Sequence, residues 1–543
     1  MGRITLKREA GSQQLIFDLL PKTSIDQAGF EFEKLLDKVT RKKTGQYYTP
    51  RSIVNYIIQN LPISEQSKIL DPSCGCGSFL IGLYDKFKHF GHDFLKNLYG
   101  VDLNADAVNL TRNCLAEKAG GKHFFDSVLT ANLKAGNSLI NNRLTDKDSF
   151  DWQKEFNCVF AKGGFDFIVG NPPYVTLRKN KEFDPKNSVY SKIIHGPVNA
   201  ASLMIGRSME LLKDGGVLAF LLPKSILYVD SYARLRNFIS DNYAIEEIFD
   251  LGASFKDVRG EQIILFIKKI KPTKNHRIRI KVAKGKDIEI SSVKTIKINQ
   301  AEYVKYDRWL TFSSEADYSL IDKLRQNKQI LNKIVDGNIF RGIPVGGNRT
   351  SLSKENAKKV IRGRDIKKFH ITQTQFLSNK ILETQSLSKV KSLLSRKIIL
   401  QNIFSSEAGI IADFDDNDTI TLDTITNIIV SSEEQGLFLL GLLSSKLLNY
   451  FLTFALFDCS RLTMHVDKAY IGQLPIIIPQ ERKKVQGIIK IVKELRALDD
   501  VKLKKGKMRE LDCLVYKIYS LNTKEIKIIE EGMAEMLSAR SLW

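Results

Sequence analysis

The chain has 543 residues, with 83 Lys+Arg against 61 Asp+Glu, a formal net charge of +22 and 43% hydrophobic residues. That length holds about three domains at roughly 100–200 residues each, and the composition excludes a disordered chain, a collagen-like repeat and a disulfide-stapled miniature. No run of about 18 uncharged apolar residues occurs, which argues against a membrane span. Six Cys in so long a chain suit a reducing cytosol better than a disulfide framework.

Residues 1–45 read as an N-terminal helical segment. The opening has no cleavable apolar h-region, so no signal peptide is expected. Apolar residues recur at helical spacing from Phe30 to Leu36, ahead of the basic run Arg41 to Lys43. From 46 to 270 short apolar runs alternate with helical stretches. Strands are expected at 67–71, 97–102, 166–170, 216–222 and 263–267. Strands separated by helices indicate βαβ units and a parallel sheet, with ligands bound beyond the carboxyl ends of the strands. Residues 271–320 read as a connecting β-rich segment. Residues 321–480 mix short strands with Gly-rich turns, and their most apolar stretch, Gly436 to Phe457, contains Lys446 and Asn449 and so reads as a buried helix. Residues 481–543 read as charged amphipathic helices.

Charge is uneven along the chain. Residues 1–270 carry 36 basic and 30 acidic residues, or +6, which leaves 47 and 31, or +16, for 271–543. A basic excess of this kind suits a polyanion, because each neutralised phosphate releases counterions. A solubility charge spread over the surface is the plainer alternative.

Three motifs fall at strand ends. Asp71 to Phe79, DPSCGCGSF, is a Gly-rich turn after a strand; glycines at 75 and 77 allow a tight turn and close approach of a ligand. No Lys-Ser/Thr follows, which excludes a P-loop, and the spacing is not that of dinucleotide-binding turns. Cys74 and Cys76 stand without a second pair, so no metal is expected. Asp102 ends the next strand, where a carboxylate can accept from a ribose diol; a helix N-cap is the alternative, since Asn104 and Asp106 follow. The third motif is Asn171-Pro172-Pro173-Tyr174 after an apolar strand. Two prolines fix their own φ, donate no hydrogen bond and push each preceding residue out of the helical region. The corner so formed holds an amide side chain, carbonyls and a ring. An exocyclic amine needs two acceptors, which Asn171 Oδ1 and the Pro172 carbonyl can supply, while Tyr174 can stack on a base. A structural proline turn is the alternative.

With these motifs in this order, after Gly45 to Pro50 (GQYYTP), the chain resembles the gamma group of amino-group DNA methyltransferases. More closely it is similar to the TaqI-like N6-adenine branch of type II restriction-modification systems, over about residues 40–540. The resemblance implies an α/β fold: a Rossmann-like S-adenosylmethionine-dependent methyltransferase domain at 46–270, with a mostly parallel sheet, followed by a mixed α+β DNA-recognition domain. It implies that Tyr47, Thr49 and Pro50 border the methionine end of S-adenosylmethionine. Asp71, Ser73, Cys74, Gly75 and Gly77 would form the main turn against it, Asp102 would hold its ribose and Asn137 its adenine. Asn137 departs from the Asp that many relatives carry there. Asn171, Pro172 and Tyr174 would be catalytic, and Phe255 would lie where relatives place a second aromatic against the flipped base.

Double-stranded DNA is then the expected partner. The reaction is methyl transfer to the N6 amine of a flipped-out adenine, in the cytoplasm at the nucleoid. Arg341, Arg349, Arg362 and Arg364 are candidates for contacts to guanine or phosphate, each equally a solvated surface Arg. The competing reading is a modification subunit that needs a separate specificity subunit. A separate cognate endonuclease is a possible further partner. The 45 residues ahead of the first motif are too few for a fused nuclease, so no cleavage is expected.

Overall fold

The computed structural model describes residues 49–120, 122–140, 150–177, 183, 189–252, 260–283, 293–326, 329–345, 350–351, 356–416 and 419–538. The expected helical segment 1–45 lies outside them. The chain divides into two compact units, Met1–Ser313 and Ser314–Trp543.

The first unit is built on a nine-stranded sheet: β1 (Ile69–Asp71), β2 (Leu98–Asp102), β3 (Leu133–Ala135), β4 (Phe165–Gly170), β5 (Leu212–Pro223), β6 (Ala244–Gly252), β7 (Gln262–Lys268), β8 (Arg277–Val282) and β9 (Thr295–Asn299). Their spatial order is β9-β8-β6-β7-β5-β4-β1-β2-β3. Five of the eight pairings are parallel, and β7 runs antiparallel between β5 and β6. The inner strands are near-continuous apolar runs because both of their faces are covered. Ile69, Leu70, Ile168 and Val169 are fully buried. Helices α1 (Arg51–Gln59), α2 (Ser78–Phe87) and α3 (Ala105–Lys118) pack Ile53, Ile57, Leu80, Leu83 and Leu115 into one core with Val169 and Ala219. β1 pairs with β2 on one side and β4 on the other. The strand order therefore reverses at β1, the kind of position beyond whose strand ends open α/β sheets bind ligands.

The sheet does not stop at residue 270. β8 pairs parallel with β6, Arg279 opposite Glu247, and β9 closes against β8. In β8 Ile278 and Ile280 are fully buried and alternate with basic residues. The Arg279 guanidinium meets the fully buried Glu247 at 2.9 Å, and Lys281 donates to Tyr56 Oη at 2.7 Å. Part of the basic excess after 270 thus neutralises an acid within the sheet.

The second unit contains a four-stranded antiparallel sheet with order β10 (Ile339–Arg341), β13 (Ile425–Ile429), β11 (Lys397–Gln401), β12 (Ala412–Asp415). Helices α4 (Glu433–Ser444) and α5 (Lys446–Phe451) are buried and bent by 59° at their junction. The bend lies at Ser445, which leaves helical geometry and caps the second helix, accepting from Leu448 N–H. Among the described residues no single helix is long and apolar enough to cross a membrane. The last three helices, α6 (Arg482–Ala497), α7 (Val501–Ile518) and α8 (Thr523–Ser538), belong to this unit.

Candidate active site at the strand ends

The Gly-rich turn leaves β1 at Asp71 and enters α2 at Ser78. Gly75 and Gly77 have φ of +49° and +83°, in the left-handed region where a Cβ is strained. At Gly77 a Cβ would also sit 2.5 Å from Thr111 Cγ2, whereas at Gly75 the space is open. Thr111 Oγ1 donates to the Gly75 carbonyl at 3.0 Å and fixes the turn from below. Cys74 is buried, with its N–H on the Val101 carbonyl. It packs the turn onto β2. Among the described residues no cluster of His, Cys, Asp or Glu could hold a metal.

Asp71 is buried, and its Oδ1 accepts the Ser73 N–H at 3.0 Å. Burial pushes its carboxyl up to about 8, against the pull of the Ser73 amide and with a further rise from Asp102 nearby. Ser73 Oγ is buried and, among the described residues, has no hydrogen-bond partner. Asp102 accepts from Gly75 N–H through Oδ2 and from Asn104 N–H through Oδ1, both at 2.8 Å. Burial raises its pKa, and the amides it accepts from oppose the rise. The helix cap is Asn104, whose side chain accepts from Asp106 and Ala107 N–H. The alternative role of Asp102 as an N-cap is thereby set aside.

The same network reaches β3. Gly136 N–H donates to the Asp102 carbonyl at 2.9 Å, Ser138 Oγ to the Pro72 carbonyl at 2.6 Å, and half-buried Asn137 accepts from Leu139 N–H at 3.0 Å. Sequence reasoning did not single out Leu103, which follows Asp102 directly and is 63% exposed. Its signal was available, since an apolar residue outside the strand's buried register has no core to enter.

β4 runs into the proline corner beside Asp71. A Cβ on Gly170 would lie 2.8 Å from Asp71 Oδ1, so the corner and the turn are in contact. Asn171 is half-buried, and its Nδ2 donates to Thr49 Oγ1 at 3.1 Å. Among the described residues no donor reaches Asn171 Oδ1 or the Pro172 carbonyl. Tyr174 donates its hydroxyl to the Leu221 carbonyl on β5 at 3.1 Å and receives Gln262 Nε2 from β7 at 3.5 Å. Burial pushes the phenol far above its ordinary range, so it stays neutral. Pro50 begins α1 as its N-cap. Tyr47 and Phe255 lie outside the described residues. The chain enters the 253–259 stretch from a fixed point: Asp250 accepts from Gly252 N–H at 2.9 Å, from Lys224 Nζ at 2.7 Å and from Thr311 Oγ1 at 3.0 Å, all in the interior.

In the second unit Arg341 and Arg364 are exposed. Arg362 is not available to a ligand as expected. It is buried and forked onto Asp365, Nε to Oδ2 at 2.9 Å and a terminal nitrogen to Oδ1 at 3.1 Å, closing its own turn. A carboxylate three residues away satisfies the guanidinium locally. Arg349 lies outside the described residues.

Two family models match the chain: residues 96–256 match the Eco57I restriction-modification methylase, and residues 358–476 the TaqI-like C-terminal specificity domain. Among curated proteins the chain is 24% identical over 371 residues to the type II restriction enzyme and methyltransferase RM.Eco57I of Escherichia coli, covering 56% of this chain and 36% of that one. It is 23% identical over 368 residues to the type II methyltransferase M.HindII of Haemophilus influenzae, covering 66% and 61%. The chain therefore spans less than two thirds of the length of these relatives. Among solved structures, the type IIL restriction-modification enzyme MmeI in complex with DNA superposes with a TM-score of 0.58 at 15% identity, over 94% of this chain and 81% of that one. The fold is shared along nearly the whole chain, and the resemblance read from the motifs is the one the family models find.

Proposed function

We propose that the chain is a site-specific DNA methyltransferase that moves a methyl group from S-adenosylmethionine to the N6 amine of an adenine rotated out of the duplex. One observation carries the reading. Among the described residues the proline corner, with no donor on Asn171 Oδ1 or the Pro172 carbonyl, abuts a Gly-rich turn that has an open Gly75 and a Ser73 hydroxyl without a partner. The first fits an amine with two hydrogens, and the second fits a polar ligand laid across the strand ends.

The residues present suit S-adenosylmethionine. Asp71, Ser73, Gly75 and Gly77 would take its amino-acid end, with Pro50 beside them and the Thr49 hydroxyl turned to Asn171 instead, Asp102 its ribose diol, and Leu103 with Asn137 its base. When bound, it supplies a methyl group on a sulfonium that is its own leaving group. The chain's task is positioning and electrostatics. Asn171 Oδ1 and the Pro172 carbonyl would accept hydrogen bonds from the two N6 hydrogens, which favours a pyramidal nitrogen with its lone pair free of the ring; the extra proton, very acidic once nitrogen carries the methyl group, would then leave to solvent. The same two oxygens stabilise the positive charge that grows on nitrogen during transfer. Tyr174 stacks on the extruded base and recovers part of the few kcal/mol of unstacking. The exposed Arg341 and Arg364 suit phosphate or guanine in duplex DNA.

Residues 358–476 favour recognition within this chain over a modification subunit that borrows a separate specificity subunit. The purified chain alone should methylate genomic DNA. A requirement for a second polypeptide would reverse that choice. The adenine chemistry is tested by Asn171→Ala, which should lower methyl transfer at least about 100-fold, as when one transition-state hydrogen bond is deleted, with S-adenosylmethionine binding within about threefold of wild type. N6-methyladenine formed at the normal rate by this variant would refute the mechanism.

A further inference from the structure

An asparagine presents two nearly isosteric ends of opposite hydrogen-bonding sense, and a site that uses one must suppress the other. If Asn171 turned its Nδ2 toward a substrate amine, donor would face donor. The side chain is half-exposed, so packing alone does not choose between the two orientations. Thr49 stands at its other end. It is 3% exposed and lies 122 residues away in sequence, and its Oγ1 receives Asn171 Nδ2 at 3.1 Å. The two residues are held by one core. Thr49 leads into α1, whose Ile53, Val54 and Ile57 pack in the cluster that contains Val169 of β4, the strand that delivers Asn171.

We propose that Thr49 is a positioning residue: its hydroxyl, hydrogen-bonded to Asn171 Nδ2, anchors the far end of the carboxamide and so holds Asn171 Oδ1 toward the reacting amine. This rests on the methyltransferase reading and adds to it an anchor that acts through Asn171. A valine in place of Thr49 keeps the shape and removes the hydrogen bond, so the Asn171 carboxamide loses its anchor. Serine keeps the hydroxyl.

The test uses the full chain as Thr49→Val and Thr49→Ser, with three readouts. Turnover at saturating S-adenosylmethionine on genomic DNA should fall about 10- to 100-fold in the valine variant, as for a lost geometric constraint. The dissociation constant of S-adenosylmethionine by calorimetry should stay within about threefold. In protein labelled with 15N at asparagine, the Asn171 side-chain NH2 signal, assigned by its loss in Asn171→Ala, should shift in the valine variant. Serine should restore both turnover and signal. Wild-type turnover in Thr49→Val would overturn the proposal, and so would a loss confined to cofactor affinity, which would make Thr49 a cofactor contact. So would an Asn171 signal that does not differ between wild type and valine. The NH2 signal reads the hydrogen bond without any turnover. A chain that transfers no methyl group yet shows the shift would sink the functional reading while leaving the Thr49–Asn171 link standing.

Discussion

Replacing Gly170 by alanine is the sharpest probe of the contact between the Gly-rich turn and the proline corner. The added Cβ would lie 2.8 Å from Asp71 Oδ1, 3.4 Å from its Cγ and 3.5 Å from Phe220 Cε1. Ordinary contact begins at 3.4 Å, so about 0.6 Å must be found. Asp71 cannot easily retreat, because it is 1% exposed and its Oδ1 is held by Ser73 N–H. Phe220 is fully buried on β5. The displacement therefore falls on residue 170 and is passed to Asn171, the next residue. Overpacking of this kind costs about 1–3 kcal/mol of stability. A misplacement approaching 1 Å costs up to about 100-fold in rate, so turnover should drop about 10- to 100-fold. The assay is the initial rate of labelled methyl transfer to genomic DNA at saturating cofactor, alongside urea unfolding of the same preparation. A variant that loses stability but turns over at the wild-type rate would show that Asn171 does not need the position the strand gives it.

Other outcomes follow from buried charge and helix geometry. The Asp71 carboxyl, raised to about 8 by burial, contributes stability that is full below its unfolded pKa of about 4 and is lost as pH rises through 8, by up to ~1.4 kcal/mol per unit. Asp71→Asn should flatten that decline between about pH 5 and 8, and denaturant midpoints that fall as steeply as in wild type would refute the assignment. Lys224→Met leaves Asp250 without its cation at 2.7 Å and should cost about 3–5 kcal/mol in urea unfolding, whereas a cost below about 1 kcal/mol would mean that Thr311 and Gly252 N–H suffice. Gly506 lies exposed within α7, with open space where a side chain would begin, so Gly506→Ala should stabilise by about 0.5–1 kcal/mol, or about 1–4 °C in Tm; a fall in Tm would show that the helix is not continuous there.

Local chemistry alone determined much of this protein. The five strands expected in 46–270 lie within a residue or a few of β1, β2, β4, β5 and β7, because short, nearly continuous apolar runs have few other ways to fold. The Gly-rich turn, Asp102 and the proline corner were legible for the same reason: each depends on backbone restrictions carried by its own residues. Two strands of the first unit, β3 and β6, were not expected, and β8 and β9 were expected only as part of a β-rich segment. β3 has three residues, too few for a period. β6 carries Glu247 and Asp250, which look solvent-facing until Arg279 and Lys224 arrive from strands or turns far along the chain. β8 and β9 read as a β-rich connector, and their place in the large sheet was missed because their buried partner on β6 was out of view. The fate of Arg362 likewise turned on Asp365 folding back onto it, and the orientation of Asn171 on a threonine 122 residues earlier. Sequence patterns encode what a residue prefers by itself. Which charges are neutralised and which end of an amide faces a ligand depend on pairings between distant segments, and only the tertiary structure makes those pairings.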